Sequence, residues 1–333
     1  MPAPGAPVKS LIAGVGGYAP RKVLTNRDLE AMVDTSDEWI SDRTGIRERR
    51  IAADDEASSD LALAAARRAL EMAGIGAKDL DMIIVGTVTP DRPLPACASL
   101  LQRKLGVNEI PSFDVSAACA GFLYALSIGD QFVRSGGYKN VLVVGVELLS
   151  RIVDWKDRTT CVLFGDGAGA VVLRASDDAR RGVLSACLYT DSSLADSLCI
   201  PAGGSALPLT PQLIEDRKDK VHMAGGDIFK AAVKNLTSAS RSALERAGLT
   251  TDAVTWVVPH QANMRIITQV AQRLAVPLER FILNIDRYGN TSSASIPLAL
   301  DEGVRDGRVK PGDTVLMCAL GAGVSWASAV VVI

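Results

Sequence analysis

The sequence has only two histidines, His222 and His260, among its 333 residues. Because imidazole is the commonest protein ligand for metals, few metal sites could be built, and we expect no metal or other cofactor. The six cysteines include no Cys-x-x-Cys pair. In a chain of this length they indicate reduced thiols in a cytoplasmic enzyme rather than a disulfide framework or a zinc site.

The sequence also lacks a strong charge and a long apolar run. Its net charge of −2 gives no indication of a nucleic-acid partner. No stretch approaches the roughly 20 apolar residues that a membrane-spanning helix needs, so no membrane partner is expected. Residues 1–7 have neither the charged nor the apolar region of a signal peptide, and we expect them to form a frayed lead-in.

An internal repeat organises what is present. Residues 69–74 read Ala-Leu-Glu-Met-Ala-Gly, and residues 243–248, which lie 174 positions later, read Ala-Leu-Glu-Arg-Ala-Gly. The same offset relates apolar stretches further along both segments, so the repeat extends over helix and strand alike. We therefore predict two similar α/β halves, one over residues 1–176 and the other over residues 177–333.

Each half alternates strands with helices. The strands are almost continuously apolar, which is typical of strands covered on both faces in layered α/β folds. Strands are predicted at 82–86, 141–146, 168–174, 255–259, 314–318 and 326–333. Helices are predicted over 58–73 and 228–247, where apolar residues recur at helical spacing and a glycine follows.

One cysteine has the surroundings of a nucleophile. Cys119 lies where an apolar run gives way to a helical pattern, among small residues. The N–H groups and positive dipole of a helix N-terminus favour a thiolate, and small neighbours would let a substrate carbonyl approach the sulfur. The arrangement suits a residue that carries an acyl group as a thioester. On this segment alone, a buried structural cysteine is the alternative.

The repeat places other polar residues near Cys119. At the offset of 174, Cys119 corresponds to Ser293, which is close to Asn290, and His260 follows a predicted strand. Pseudo-symmetry would bring Cys119, His260 and Asn290 toward one cleft between the halves. The first half also has about 16 extra residues, mostly between 149 and 166, and we interpret this insertion as a ligand-binding loop.

Five motifs in a fixed order carry a family resemblance. They are Asp-Val-Ser-Ala-Ala-Cys-Ala-Gly-Phe around Cys119, Pro-His-Gln-Ala-Asn from Pro259, Tyr-Gly-Asn-Thr-Ser-Ser-Ala-Ser-Ile-Pro around Asn290, Phe-Gly-Asp-Gly-Ala-Gly from Phe164, and Thr-Ser-Asp-Glu-Trp-Ile from Thr35. From about residue 8 to its end, the chain resembles the β-ketoacyl-[acyl-carrier-protein] synthase III family. The resemblance implies a thiolase-like α/β fold with two pseudo-symmetric halves in an αβαβα arrangement, and a homodimer.

The resemblance also implies an activity, the decarboxylative condensation of a primer acyl-CoA with malonyl-[acyl-carrier protein]. Cys119 would carry the acyl group, and the N–H groups of Cys119 and Ala322 would form the oxyanion hole. His260 and Asn290 would donate hydrogen bonds to the malonyl thioester oxygen while CO₂ leaves. The product would be a 3-oxoacyl-carrier protein, which initiates fatty acid synthesis.

Binding residues follow from the same resemblance. CoA contacts are implied at Thr35, Trp39, Arg43, Arg158 and Asn263. Trp39 and Arg158 would sandwich the adenine, Arg43 would meet the phosphates, and Asn263 would contact the pantetheine.

The partner implied by the resemblance is an acidic acyl carrier protein. The basic residues Arg265, Lys230 and Lys234 could receive it. A solvated helix face is the alternative for these residues, and it has equal weight at Lys234.

Two positions depart from the family pattern. Leu94 stands where a phenylalanine often reaches across the dimer to close the primer pocket. Leu320 stands where a phenylalanine commonly lies beside the nucleophile. Because an aliphatic side chain replaces a ring at both, we predict a pocket that accepts primers longer or more branched than acetyl.

Two other functions compete with initiation of fatty acid synthesis. A related condensing enzyme of a dedicated, secondary-metabolite pathway could use a non-acetyl primer or another acceptor. A degenerate thiolase-fold binding subunit is disfavoured, because Cys119, His260 and Asn290 are all present.

Overall fold

A computed structural model of the protein describes residues 9–178 and 180–333. The expectation for residues 1–7 lies outside these ranges. The strands are β1 (Lys9–Tyr18), β2 (Lys22–Thr25), β3 (Glu48–Ile51), β4 (Met82–Gly86), β5 (Ser112–Val115), β6 (Asn140–Leu148), β7 (Asp166–Ser176), β8 (Gly182–Thr190), β9 (Leu198–Cys199), β10 (His222–Met223), β11 (Trp256–Pro259), β12 (Thr314–Gly321) and β13 (Ser325–Val332). The helices are α1 (Asn26–Glu30), α2 (Asp37–Thr44), α3 (Ser58–Ala73), α4 (Cys97–Leu105), α5 (Gly121–Arg134), α6 (Pro211–Glu215), α7 (Gly225–Arg246), α8 (Met264–Leu274), α9 (Ile285–Tyr288) and α10 (Ser295–Arg305).

The two large sheets share one strand arrangement. The first has the order β1-β7-β6-β4-β5, and the second has the order β8-β13-β12-β11. In the first sheet β4 is parallel to β6, and β7 is antiparallel to both β6 and β1. In the second, β11 is parallel to β12, and β13 is antiparallel to both β12 and β8. Four strands of the first sheet therefore correspond to the four strands of the second, in the order that the sequence repeat predicts.

Apolar side chains divide the molecule into five layers. Helices α3 and α4 cover one face of the first sheet, α5 and α10 lie between the two sheets, and α7 and α8 cover the far face of the second sheet. Buried side chains that represent the helical layers are Leu61 and Leu101, then Phe122 and Ile296, then Leu236 and Ile267. The strands have apolar residues on both faces because helices cover both faces. No helix in the described ranges is long and apolar enough to cross a membrane.

The predicted elements agree closely with the observed ones. Strand 82–86 and helix 58–73 have the predicted bounds. The helix predicted over 228–247 begins earlier, at Gly225, because the polar first turn carries no apolar period. The strand predicted over 141–146 extends to Leu148, which places the buried Glu147 inside β6.

Close packing between β1 and α3 depends on glycine. A Cβ atom at Gly16 would lie 2.2 Å from the carbonyl oxygen of Ala65, and one at Gly14 would lie 2.3 Å from that of Ala69. Real Cβ atoms do not approach backbone so closely, so any side chain here would push the helix off the strand. The glycine-rich stretch near the N-terminus therefore belongs to a strand, and it packs the first outer layer.

Candidate active site

Cys119 lies in a single turn of 3₁₀-helix, Ala118–Ala120, that leads directly into α5. Glycines at the ends of two strands make room for this turn. A Cβ atom at Gly321 would lie 2.4 Å from the backbone nitrogen of Cys119, and one at Gly86 would lie 2.6 Å from the carbonyl carbon of Gly121. The ends of β4 and β12 thus contact the start of α5 through bare backbone. This contact fixes the sulfur at the junction of the two sheets.

An apolar cavity of about 230 Å³ opens in front of Cys119. Its apolar wall consists of Val88, Leu149, Ile152, Phe164, Leu198, Ile200 and Val221. Three of these side chains belong to the insertion between β6 and β7, as expected for a ligand-binding loop. Three others come from the 190–222 segment, whose contacts the sequence left unassigned. A cysteine that faces such a cavity differs from an inert core cysteine, which packs on all sides.

Backbone N–H groups converge on the same cavity. Ala322 follows the end of β12 and lines the cavity together with Cys119. Within residues 9–178 and 180–333, neither the N–H of Cys119 nor that of Ala322 donates to a main-chain acceptor. Two donors without main-chain acceptors beside a cysteine sulfur are an arrangement that can stabilise a tetrahedral oxyanion. This geometry supports the predicted oxyanion hole.

His260 follows β11 and is buried. Its backbone N–H donates to the carbonyl oxygen of Cys318 at 2.8 Å, which ties it to β12. Its Nδ1 lies 2.7 Å from Oγ of Ser295, at the start of α10. This contact holds the imidazole in one orientation and leaves Nε2 available for a substrate.

Asn290 is held by the insertion. Its backbone N–H donates to Leu163 at 2.8 Å, and its carbonyl oxygen accepts from the N–H of Gly165 at 3.0 Å. Its side-chain Oδ1 accepts from the N–H of Ser292 at 2.8 Å. Because the amide oxygen is occupied in this way, the side-chain NH₂ is the group left to donate to a substrate. The segment from Asn290 to Ser295 therefore joins the supports of His260, Asn290 and Cys119.

Burial sets the protonation states of the two titratable groups. It raises the pKa of the Cys119 thiol to about 12, although a hydrogen bond from Ser292 opposes the shift. It lowers the pKa of His260 to about 3, so the imidazole is neutral at physiological pH. The thiolate expected from the helix N-terminus is thus corrected to a thiol, because desolvation outweighs the hydrogen bond. If Cys119 is the nucleophile, it must therefore lose its proton during the reaction.

A buried arginine that the sequence analysis missed supports the insertion. The guanidinium of Arg49 donates to the carbonyl oxygen of Val162 at 2.7 Å and to Oδ1 of Asn26 at 2.9 Å. Burial lowers its pKa to about 10, so it remains charged. Asp166 holds the other end of the insertion by accepting from the N–H of Ser150 at 2.9 Å. No sequence signal marked Arg49, because its partners lie in segments distant along the chain.

Three of the predicted CoA residues, Trp39, Arg43 and Arg158, lie together beside the insertion. The guanidinium carbons of Arg43 and Arg158 lie 4.7 Å and 4.9 Å from the centre of the Trp39 ring. Arg158 also donates to the carbonyl oxygen of Asp34 at 2.7 Å. A base inserted between two stacking groups needs roughly 7 Å, twice a van der Waals contact. Arg158 would therefore have to move from Trp39 for the predicted sandwich to form.

The other two predicted CoA residues have different settings. The hydroxyl of Thr35 is buried and has no hydrogen-bond partner among the described residues. Asn263 caps α8, and its Oδ1 accepts from the N–H of Arg265 at 2.8 Å. The pantetheine role predicted for Asn263 would therefore use its side-chain NH₂.

The predicted carrier-protein residues are exposed. Lys230 and Lys234 lie on α7, and Arg265 lies in the first turn of α8. These helices contact each other on the far side of the second sheet. Arg265 also borders a groove between α2 and α8, together with Ser41 and Met264.

Neither predicted primer-pocket leucine lines the cavity of its own chain. Leu94 is 84% exposed, in the loop after β4. Leu320 is buried, but it packs in the outer layer with α7 and α8 rather than on the cavity wall. The side chain of Leu320 points away because alternate residues of β12 face opposite sides of the sheet.

Comparisons with known proteins identify relatives of the chain. Two family models match, 3-oxoacyl-[acyl-carrier-protein] synthase III over residues 113–192 and its C-terminal counterpart over residues 244–333. A β-ketoacyl-[acyl-carrier-protein] synthase III of Xanthomonas campestris pv. campestris is 54% identical over 324 residues, which cover 97% of this chain and 98% of that protein.

Solved structures resemble the protein over nearly all of its length. The crystal structure of 3-oxoacyl-[acyl-carrier-protein] synthase III from Aquifex aeolicus VF5 has a TM-score of 0.90 and 45% identity, covering 97% of this chain and 100% of that one. The priming β-ketosynthase from the R1128 polyketide biosynthetic pathway has a TM-score of 0.91 and 40% identity, covering 98% of this chain and 96% of that one. The predicted thiolase-like α/β fold is confirmed.

We predict that the imidazole of His260 does not titrate between pH 8 and pH 5, because its pKa is about 3. The protein has two histidines, so a His222→Gln variant leaves His260 as the source of every histidine ring signal. NMR of histidine-labelled protein over this range should show constant ring chemical shifts. A titration near pH 6 would instead indicate a charged imidazole paired with a thiolate.

Proposed function

The chain belongs to the β-ketoacyl-[acyl-carrier-protein] synthase III family, and we propose that Cys119 is the residue that carries its acyl intermediate. The family catalyses acyl transfer from an acyl-CoA to malonyl-[acyl-carrier protein] and initiates fatty acid synthesis. The observation that carries the residue assignment is the position of Cys119. Cys119 lines an apolar cavity, beside two backbone N–H groups without main-chain acceptors.

In the first half-reaction, the sulfur of Cys119 attacks the thioester carbonyl of the primer. The carbonyl oxygen becomes an oxyanion, which accepts hydrogen bonds from the N–H groups of Cys119 and Ala322. The bond from carbon to the CoA sulfur then breaks, and CoA leaves as a thiol. The acyl chain remains on Cys119 and occupies the cavity.

In the second half-reaction, malonyl-[acyl-carrier protein] enters. Nε2 of His260 and the side-chain NH₂ of Asn290 donate to the malonyl thioester oxygen, so the electron pair released with CO₂ is held as an enolate. Its carbon attacks the acyl-cysteine carbonyl, and the bond from the carbonyl carbon to the Cys119 sulfur breaks. The product is 3-oxoacyl-[acyl-carrier protein], and the released sulfur takes up one proton from solvent to restore the thiol. The neutral state of His260 suits this role, because a hydrogen-bond donor is required and a proton transfer is not.

Partners and compartment follow from this chemistry. Trp39, Arg43, Arg158, Thr35 and Asn263 would bind CoA, with Arg158 moving aside for the adenine. We place the enzyme in the cytoplasm, because a reducing compartment suits its six free cysteines.

We also propose a homodimer. The exposed Leu94 supports it, because this residue lies in the same loop as Val88, which lines the cavity. A partner subunit packed on this loop would cover the leucine and could bring its own Leu94 near the primer pocket.

A second candidate function is priming in a dedicated pathway. The likeness to the priming β-ketosynthase of the R1128 polyketide pathway supports it. The greater identity to synthase III of Xanthomonas campestris favours fatty acid synthesis instead. The two candidate functions would use the same site residues and differ in the primer acyl group.

The two half-reactions should separate in variants of the site. We expect Cys119→Ala to form no acyl-enzyme with any acyl-CoA, by intact-mass measurement. His260→Ala and Asn290→Ala should still acylate Cys119, while decarboxylation of malonyl-[acyl-carrier protein] falls by about 10²-fold or more, the usual cost of losing an oxyanion donor. Loss of acylation with intact decarboxylation in both variants would contradict the assigned roles.

Arg265 should serve the carrier protein rather than the chemistry. We expect Arg265→Glu to raise KM for malonyl-[acyl-carrier protein] while acyl transfer from CoA to Cys119 stays nearly unchanged. Arg273→Glu makes the same charge change at an exposed position further along α8 and is the matched control. Equal effects of the two variants, or equal damage to both half-reactions, would argue against docking at Arg265.

The primer range should extend beyond acetyl. A cavity of about 150 Å³ holds a benzene molecule, and this cavity measures about 230 Å³. We expect kcat/KM for butyryl-CoA or isobutyryl-CoA to lie within about tenfold of that for acetyl-CoA, a difference of about 1.4 kcal/mol. Val221→Phe should narrow the range toward acetyl, because the ring fills the cavity from its own chain.

Leu94→Phe should narrow the range as well, because the ring would close the pocket across the proposed dimer. Leu207→Phe changes another exposed leucine and is the control. The contrary result is a hundredfold preference of the unaltered enzyme for acetyl-CoA, with neither Val221→Phe nor Leu94→Phe changing that preference. This result would rule out the wide pocket.

A further inference from the structure

A carboxylate that the chemistry above does not use lies behind the nucleophile. Glu147, near the end of β6, is 0% exposed. Its oxygens accept hydrogen bonds from Oγ1 of Thr89 at 2.6 Å and from the N–H of Val88 at 3.2 Å. Lysine, arginine and histidine side chains of the described residues all lie more than 4 Å from it, beyond the range of an ion pair. A buried carboxylate with only neutral partners is costly, and such groups cluster at functional sites.

The carboxylate is hydrogen-bonded to a residue that shares the cavity wall with Cys119. Oγ of Ser292 lies 3.3 Å from Oε1 of Glu147. The same hydroxyl favours the thiolate form of Cys119, and the two residues share the cavity wall. Oγ of Ser293 lies 3.1 Å from the carboxylate, but it also lies 2.8 Å from the carbonyl oxygen of Gly86, to which it can donate its single hydrogen. Ser292 is therefore the connection that leads to the sulfur.

The backbone around this connection is strained. Ser292 has a φ of +50°, and Ala118, beside the nucleophile, has a φ of +45°. Both lie in the left-handed region, which residues with a side chain rarely adopt, and such strain persists where the surrounding structure enforces it. Here the strained residue is the one whose hydroxyl contacts Glu147 and which lines the cavity with Cys119.

We propose that Glu147 acts through Ser292 as the acceptor of the Cys119 thiol proton during acylation, an inference that rests on the acyl-enzyme chemistry proposed above. As the sulfur–carbon bond forms, the thiol proton passes to the oxygen of Ser292, and the hydroxyl proton of Ser292 passes to Glu147. When the bond from carbon to the CoA sulfur breaks, that sulfur takes a proton back along the same path. No proton is gained or lost overall, and a free thiolate does not accumulate.

The electrostatics of the site agree with this path. Burial raises the pKa of Glu147 to about 7, so the group can both accept and return a proton near neutral pH. The titratable groups that interact with it are the thiols of Cys119 and of Cys97, at the start of α4, and burial raises the pKa of both. His260 has a pKa of about 3 and does not ionise in the same range. A titration near pH 7 in the acylation step would therefore report on Glu147.

The test is the pH profile of the first half-reaction alone, measured as CoA release in a single turnover without malonyl-[acyl-carrier protein]. Only the ionised carboxylate can accept a proton. Acylation by the unaltered enzyme should therefore be constant above about pH 7 and fall as the pH decreases below it. Glu147→Gln keeps the size of the side chain but cannot accept the proton. Acylation by this variant should be slower by about 10²-fold at pH 8, and the decrease in acylation rate centred near pH 7 should disappear.

Two further variants keep the test decisive if Glu147→Gln folds poorly. Ser292→Ala removes the connecting hydroxyl, leaves the carboxylate in place, and should abolish the same decrease. Asp166→Asn alters another buried carboxylate whose partners are Ala52 and Ser150. It should lower the melting temperature and keep the shape of the pH profile.

The outcomes separate the two proposals. If Glu147→Gln and Ser292→Ala retain the decrease near pH 7, Glu147 has a structural role and the relay is wrong. If the unaltered enzyme forms no adduct on Cys119 by intact-mass measurement, the proposed acyl-enzyme itself is wrong. Both proposals would be supported if the adduct forms in Glu147→Gln, Ser292→Ala and Asp166→Asn. The decrease in acylation rate near pH 7 should then be lost only in the first two.

Discussion

The active site depends on backbone-to-backbone contact where the two sheets meet. Gly86 at the end of β4, Gly145 in β6 and Gly321 at the end of β12 contact the start of α5 or the turn before α10. A Cβ atom at Gly145 would lie 2.2 Å from the carbonyl oxygen of Ser293. Because no side chain separates these segments, the sulfur, the two N–H donors and the turn from Asn290 to Ser295 are held in one rigid arrangement. Rigid positioning of this kind is what stabilisation of an oxyanion requires.

Burial at this junction gives the site its chemistry. Exclusion of water keeps the thiol of Cys119 protonated, keeps His260 neutral and makes Glu147 a weak acid. All three effects have one cause, the cost of a charge in a medium of low dielectric constant. A site in which the cysteine and the imidazole rest uncharged suits a reaction in which negative charge appears on a thioester oxygen, because the fixed N–H donors then act in the absence of competing water.

The layered scaffold and the loops contribute different properties. The sheets and central helices position Cys119, His260 and Asn290. The cavity wall comes largely from the insertion between β6 and β7 and from the 190–222 segment. Arg49 and Asp166 anchor the insertion through backbone groups, so the wall is attached to the scaffold at both ends. Primer choice can thus change with loop residues while the reaction is preserved.

The sequence by itself determined the repeat and the alternation of strands and helices, and it supplied the candidate residues of the proposed reaction. Apolar periodicity and a constant offset of 174 can be read from the linear sequence without knowledge of tertiary contacts. They predicted both the strand 82–86 and the helix 58–73 within their observed bounds. The motifs around Cys119, His260 and Asn290 predicted the family for the same reason, since each is contiguous in the chain.

Only the tertiary structure decided how those residues are supported and in which protonation state they rest. It placed Leu320 away from the cavity and Val221 on its wall, and it replaced the expected thiolate with a thiol. It also brought Glu147 behind the nucleophile, across an interval of 145 residues from Ser292. Desolvation and contacts between distant segments decide these properties, and both arise only when the whole chain has packed around the site.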